Sequence, residues 1–383
     1  MKLFPIPACA GTTKSALLKI ILVVALWLIV INLFALAGLN RFNLNSDTSY
    51  NWINPNEFHQ TQEWNILNLH SHWDSAWYLD VAQHGYIYRR VQQLSNIVFF
   101  PLYPLLIKFV AYFILLGNYA LAGWILSIIF LLLASFYLSK LVQEFHKKID
   151  WQLPLMFLLI FPTAFFLNGI YTESLFLFLS IASFYYTLKK NYWLAGLFGL
   201  LSSLTRITGV LLFIPLIWEY CASRKVREWF SAQILPIFLV PLGTFCFFLF
   251  HYLKFGDFKL FLKVEDWWGR SFSINKEHFQ LLTHPATVNF MIDSLFVIFA
   301  IIITILVFKK LRVSYGLYMV ATLLVALSTG TFMSIGRYIL VLFPMYILIA
   351  SFKNHTVKLA YAFTSILLLA MNVILFVNNY WAG

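Results

Sequence analysis

The sequence predicts an all-α integral membrane protein, a bundle of about eleven membrane-spanning helices with a long first outer loop carrying interfacial helices. Three observations predict it. The chain has 383 residues, 61% of them hydrophobic, with a mean hydropathy of +0.79; a soluble fold cannot cover that much apolar surface. Long apolar runs recur along almost the whole length and leave no room for a separate soluble domain, so residues 1–383 read as one polytopic domain. Short basic clusters fall between the runs: Lys147 and Lys148, Lys189 and Lys190, Arg224 to Arg227, Lys309 to Arg312, Lys353 to Lys358. That is the pattern of cytosolic loops under the positive-inside rule.

The elements follow in order. Lys14 and Lys19 precede and open the first run, Leu17 to Ala37, which places the N-terminus in the cytosol. Ala35-Leu36-Ala37 resembles a cleavage site, but the run is long for a signal peptide and reads as a retained anchor. The first outer loop, 38–119, follows. Its apolar stretch from Phe99 to Leu116 cannot cross the membrane without putting the later basic clusters on the wrong side. Pro101 and Pro104 break its start and Lys108 interrupts it, so it reads as an interfacial or re-entrant helix. The remaining spans are Ala120–Leu141, Leu153–Gly169, Glu173–Leu188, a short pair Tyr192–Leu204 and Val210–Cys221, then Ala232–Tyr252. A second outer loop, 253–289, precedes Phe290–Phe308, Ser314–Thr329, Ile339–Phe352 and Leu359–Val377.

In this layout the inner side carries 16 of the 27 Lys and Arg and four acids, and the outer side carries 11 of each. The whole net charge of +12 therefore lies on the cytosolic face. This distribution, and not nucleic-acid binding, accounts for the basic balance. The aromatic share of 19% suits lipid-facing helices with interfacial belts. The three cysteines, Cys9, Cys221 and Cys246, form no C-x-x-C pair and support neither a disulfide nor a zinc site. No repeat of fixed period and no low-complexity tract is present.

Every polar motif of unusual composition falls on the outer face: His72 to His84, Asn168 to Glu173, Thr205 to Gly209, Asp257 to Arg270, and Ser334 to Tyr338. Separated elements converging on one face are how a helix bundle builds a site. Asp74 stands at the start of an amphipathic helix from Ser75 to His84, with Gly85 as its stop. Asp74 or Ser75 is a natural N-cap there. A carboxylate at the membrane boundary also suits a general base toward an acceptor hydroxyl. Asp80 lies roughly 240° round the helix from Asp74 and does not face it. His70, His72 and Asp74 alternate, which on an extended strand makes a divalent-metal site an alternative reading.

Glu173 opens a span, where acid is favoured by the helix dipole and Thr172 offers a cap; its functional reading is a rim contact to a sugar hydroxyl. Arg206, among Thr205, Thr208 and Gly209, either snorkels or meets an anion, with phosphate the natural partner of a guanidinium fork. Arg270 and Arg337 read the same way. The sequence has no phosphate-cradling glycine loop, G-x-S-x-G elbow, H-E-x-x-H or dinucleotide fingerprint. An outer-face enzyme without a nucleotide domain needs a donor delivered through the membrane, and a lipid-linked donor fits.

The motifs resemble those of the PIG-V-like mannosyltransferases, polytopic glycosyltransferases of GT-C type. The resemblance rests on His72-Trp73-Asp74 with Trp77-Tyr78-Leu79 and Ala82 to Tyr86. It continues in Phe99-Phe100-Pro101-Leu102-Tyr103-Pro104-Leu105, and in Phe161-Pro162 with Tyr171-Thr172-Glu173-Ser174-Leu175-Phe176. Leu204-Thr205-Arg206 with Gly209, Trp268-Gly269-Arg270, and Arg337-Tyr338 with Phe343-Pro344 complete it, in the family's order over most of the chain. The resemblance implies a GT-C-like bundle and inverting transfer of mannose from a polyprenyl-phosphate donor. It implies Asp74 as the catalytic acid-base residue of the first outer loop.

The expected substrate contacts are His72, Trp73, Asp80, Tyr171, Glu173, Arg206, Trp268, Arg270, Arg337 and Tyr338, with Arg206 and Arg270 on the donor phosphate. No cofactor is required beyond the lipid-linked donor, and a divalent metal stays an alternative. The expected partners are the donor, membrane lipid and a glycan, lipid or protein acceptor, with no nucleic acid. The compact length, without large insertions, suggests a bacterial plasma-membrane protein, or the endoplasmic reticulum if eukaryotic. The rival readings are a glycan ligase or polymerase using a pyrophosphate-linked donor, and a lipid or sugar transporter. A transporter calls for ionisable residues in the middle of spans, and these spans are almost free of them.

Overall fold

The computed structural model describes residues 13–42, 66–89, 94–270, 288–330 and 332–382. Stretches of both expected outer loops (43–65, 90–93 and 271–287) lie outside the described residues. Fifteen α-helices are found among the described residues. They are α1 Thr13–Arg41, α2 Asp74–His84, α3 Leu102–Phe113, α4 Tyr119–Phe145 and α5 Gln152–Leu159. Next come α6 Glu173–Leu188, α7 Tyr192–Ser203, α8 Phe213–Ala222, α9 Leu239–Phe255 and α10 Leu260–Trp267. The last are α11 Val288–Lys310, α12 Val313–Ser328, α13 Ile335–Leu340, α14 Pro344–Ser351 and α15 His355–Val377. Five stretches are helical, long and apolar enough to cross a membrane: Lys14–Arg41, Tyr119–Phe145, Ala232–Phe255, Met291–Lys310 and His355–Val377. The chain is thus a multi-pass membrane protein, with shorter apolar helices packed among these five.

The centre of the bundle is α6. All but one of its residues from Glu173 to Thr187 are buried side by side, as expected of a helix that is apolar all round. It packs between α4 and α7, and α7 packs in turn on α9. On the opposite flank α1 lies along α15. The outer faces of α1 and α11 carry exposed Leu22, Leu26, Leu33, Leu295 and Ile298. In a membrane protein that is the surface lipid covers.

Two expected spans are not continuous helices. The run Leu153–Gly169 holds α5, which ends at Leu159, and then a 3-10 turn from Ala164 to Leu167. The run Ile339–Phe352 divides into α13 and α14, with residues 341–343 between them. A proline accounts for each break. Pro162 and Pro344 have no N–H to donate and their rings clash with the preceding turn. The two interrupted segments lie against each other, α5 on α14. At the junction Thr163 Oγ1 donates to the Gly336 carbonyl at 3.0 Å, and Asn372 Nδ2 on α15 donates to the Pro162 carbonyl at 3.0 Å. The Leu340 carbonyl, which Pro344 leaves without its helical donor, accepts from the Tyr346 hydroxyl at 2.8 Å; backbone freed at a break is thus satisfied by side chains, as irregular backbone in a membrane protein requires.

The first outer loop is fastened to the bundle. Tyr103 on α3 donates to the Gly123 carbonyl at 2.9 Å and lies 2.8 Å from Ser127 Oγ. The Leu102 N–H donates to the Leu204 carbonyl at 3.0 Å, so α3 starts beside the turn that carries Arg206. The stretch expected as an interfacial or re-entrant helix is helical, as α3, and its outward side shows Leu105, Phe109, Tyr112 and Phe113. Gly209 fits a close approach: a Cβ there would lie 2.3 Å from the Ser202 carbonyl. The 3-10 turn Ile207–Leu212 can therefore press onto the end of α7 only with glycine at that position.

Candidate active site

Four charged side chains from four elements meet at one end of the bundle. Glu173, at the start of α6, is fully buried. Its Oε1 accepts from Arg206 Nη1 at 2.9 Å and from Arg337 Nε at 2.7 Å. Arg337, on α13 and only 3% exposed, also donates from Nη1 to Asp74 Oδ2. Asp74 opens α2 and its side chain keeps 17% exposure. Two carboxylates and two guanidiniums thus alternate in one chain of charge-assisted hydrogen bonds, with Glu173 as the internal counter-ion and Asp74 at the wet end. Aromatic faces flank the arginines. Arg206 lies 5.3 Å from the Tyr338 ring centroid, and Arg337 lies 4.7 Å from that of Tyr171.

Asp74 is not the helix cap that the sequence allowed. It is the first residue of α2; the residue before it, Trp73, has φ 55° and ψ −119°, and no side chain caps the end. Thr172 likewise makes no cap for α6, and its Oγ1 lies 3.3 Å from the Tyr78 hydroxyl. A left-handed φ on a bulky residue is strained and persists only where the surroundings enforce it. Here they do. Tyr171 donates to the His72 carbonyl at 2.6 Å, and Ser75 Oγ donates to the same oxygen at 2.7 Å. His72 Nδ1 meets Asn379 Oδ1 at 2.7 Å, and the Trp73 ring stands edge-on to Trp381 at 5.2 Å. The chain's far C-terminal end therefore helps fix the backbone that presents Asp74.

A cleft opens above the charge chain. Its wall includes Asp74, Tyr78, Arg206, Arg337 and Tyr338, with Phe99, Phe100 and Phe261 as apolar lining. On the α10 side it is completed by Glu265, Trp268 and Arg270, and near α13 by Ser334. Trp268 is wedged edge-on against Trp77 at 5.2 Å and Phe99 at 5.7 Å. Gly269, at φ 71°, turns the chain sharply so that Arg270 can face the same cleft.

Of the residues expected at the site, Asp74, Arg206, Trp268, Arg270, Arg337 and Tyr338 share the cleft wall. Glu173 lies beneath it, fully buried, so the expected rim contact to a sugar hydroxyl gives way to a counter-ion position. His72, Trp73 and Tyr171 form the layer behind Asp74. Asp80 is apart from the cleft. Its carboxylate meets His84 Nδ1 at 3.0 Å and accepts from Asn96 Nδ2 at 2.7 Å. Asn96 in turn bonds the Gly85 carbonyl and the Ile87 N–H, closing the turn after α2. Glu265 and Ser334 were not singled out from the sequence. Their only sequence signal is membership of the polar stretches Asp257 to Arg270 and Ser334 to Tyr338.

The alternating His70, His72 and Asp74 do not form one face. Ile66–His70 form a 3-10 helix and not the extended strand that the metal reading needs, and the three side chains take separate partners. His70 stacks on Trp124 with centroids 4.6 Å apart, His72 meets Asn379 and Asp74 meets Arg337. Among the described residues no three His, Cys, Asp or Glu side chains are grouped to hold a metal ion.

Burial holds the His72 imidazole down at about 4 and the His70 imidazole down at about 3. Both rings are neutral at neutral pH. As pH falls below about 6.5 the unfolded chain takes protons on these rings while the folded chain does not, so stability falls with pH across that window. The melting temperature of the detergent-solubilised protein is expected to be lower at about pH 5 than at about pH 7. His70→Phe combined with His72→Phe should shrink the difference. A melting temperature that rises toward acid would contradict the burial of both rings.

The fold and this cleft define a class, a polytopic all-helical membrane protein with an acidic residue and several arginines in one cleft at a bundle end. The family model described as Mannosyltransferase (PIG-V) matches residues 14–253, more than half of the chain. The chain belongs to that family. It is a glycosyltransferase of the mannosyltransferase type, embedded in a membrane. No curated protein and no solved structure matches the chain.

Proposed function

We propose that the chain transfers a mannosyl residue, with inversion, from a polyprenyl-phosphate donor to an acceptor hydroxyl at the outer face of the membrane. The bundle is a GT-C-like one in which the shorter apolar helices also cross, giving about eleven spans. Its setting is a bacterial plasma membrane, or the endoplasmic reticulum in a eukaryote. The observation that carries the reading is Asp74 on the cleft wall, anchored through one oxygen to Arg337 and still partly exposed.

In this reading the acceptor hydroxyl approaches Asp74. As its oxygen bonds to the anomeric carbon, its proton passes to the carboxylate. The bond from that carbon to the donor's phosphate oxygen breaks, and the electron pair leaves with the lipid phosphate. Nearby guanidiniums offset the charge that grows on the leaving group, a preorganised electrostatic role. Attack and departure on opposite faces of the sugar invert the anomeric centre. The mainly apolar and aromatic flank of Phe99, Phe100 and Phe261 suits the first isoprene units of the donor.

The test uses purified full-length protein, radiolabelled polyprenyl-phosphate-mannose and a panel of glycan, lipid and peptide acceptors, with pyrophosphate-linked sugars in parallel. Transfer from the monophosphate donor is the expected result. Transfer from pyrophosphate donors alone would replace this reading with a ligase or polymerase. Movement of labelled lipid across a vesicle membrane without sugar transfer would replace it with a transporter.

A further inference from the structure

Among the described residues, three donor groups of the cleft wall have no acceptor at hydrogen-bond distance. Ser334 and Trp268 belong to the cleft wall, and Ser334 Oγ and Trp268 Nε1 are buried with no hydrogen-bond partner among the described residues. Arg270 approaches Glu265 only to 3.8 Å, beyond hydrogen-bond length. Arg206 and Arg337 differ: Glu173 bonds both, and Arg337 also holds Asp74. A buried hydroxyl or indole N–H without a partner is costly and rare in a native fold, and asks for a ligand. Ser334 carries a second cost at the same position. Its φ is 68° and ψ 13°, the left-handed region that a serine seldom occupies, and such strain collects at ligand-binding positions.

The chemistry of the three groups limits what they take. An indole N–H and a guanidinium only donate, and Ser334 can donate as well. A sugar hydroxyl could accept from these groups too, but it is neutral and brings no charge to Arg270. A phosphate oxygen accepts only, and carries the charge that Arg270 lacks a close partner for. We propose that Ser334 Oγ, Trp268 Nε1 and the Arg270 guanidinium form the anion subsite of the cleft, which takes the phosphate of the lipid donor. Arg206 and Arg337 are then the internal frame that fixes Asp74, and Glu265 is the loose counter-ion that Arg270 leaves when phosphate arrives. All three subsite residues lie beyond residues 14–253, the stretch that matches the family.

This assignment rests on the proposed lipid-phosphate donor, and a binding measurement separates the two. Farnesyl phosphate and farnesol are titrated onto the full-length protein in detergent, without sugar or acceptor. The wild type is expected to bind farnesyl phosphate well and farnesol at least tenfold more weakly. Trp268→Phe, Arg270→Gln and Ser334→Gly should each weaken farnesyl phosphate by about tenfold, a typical worth of a charge-assisted hydrogen bond. Ser334→Gly also relieves the left-handed strain, so its melting temperature should not fall, which keeps folding out of the result.

In the transfer assay the three variants should raise the donor KM and leave the acceptor KM unchanged. Equal binding of farnesyl phosphate by wild type and all three variants would overturn the subsite, as would a shift confined to the acceptor KM. If the variants lose farnesyl phosphate but the wild type transfers no mannose, the subsite stands and the proposed reaction fails. If mannose is transferred and the donor KM is unmoved in all three, the reaction stands and the subsite fails.

Discussion

Asp74→Asn is expected to lower mannosyl transfer by about 100- to 10,000-fold, the usual contribution of a general base, while the protein still folds. Folding should survive because the amide oxygen of Asn can still accept from Arg337, and Arg337 keeps Glu173 as its charged partner. The effect should fall on kcat, with the donor KM nearly unchanged, since Asp74 acts on the acceptor's proton. Retention of full transfer by a folded Asp74→Asn protein would remove Asp74 from the reaction. A loss of folding would make it a structural ion-pair partner.

Glu173→Leu should produce the largest loss of stability. It leaves Arg206 and Arg337 without their shared counter-ion, one of them almost fully buried. Removing one member of a buried ionic network costs about 3–5 kcal/mol, because the remaining charge is left uncompensated. Glu173 is fully buried at the head of a helix with nearly all its residues buried, so local water cannot easily rescue it. Thermal unfolding in detergent is the measurement, with Arg206→Leu combined with Glu173→Leu as the control. The double substitution should recover part of the loss by removing one stranded charge. A Glu173→Leu protein as stable as wild type would mean that the two arginines find water or each other's aromatic neighbours instead.

The two substitutions separate roles that look alike in sequence. Asp74 and Glu173 are both acids opening a helix on the same face of the bundle. Exposure divides them: Asp74 reaches the cleft, and Glu173 is sealed beneath it. The same division holds among the arginines, where two are bound tightly by Glu173 and Arg270 is held only at 3.8 Å.

The membrane class, the order of the apolar helices and the residue types at the site are legible in the sequence. Hydropathy and charge are additive along a chain, so local composition carries them. The ends of α6 and α12 match expectation within a residue because charge, Gly or Thr punctuates them. The elements that failed are the two proline-interrupted runs. Pro162 and Pro344 are visible, but an apolar stretch of spanning length reads the same whether or not the helix is continuous. Continuity depended on whether side chains could satisfy the carbonyls at the breaks, as Asn372 does for Pro162 and Tyr346 for Leu340.

What the sequence alone determined is that acids and arginines lie at one rim of a membrane bundle. What tertiary structure decided is which acid holds which arginine. Asp74 and Arg337 are 263 residues apart, and Glu173 and Arg337 are 164 apart. No local pattern encodes such pairs, because their energy depends on distance and burial that exist only after the helices pack. The same packing leaves Ser334 Oγ and Trp268 Nε1 buried at the cleft wall without a partner among the described residues.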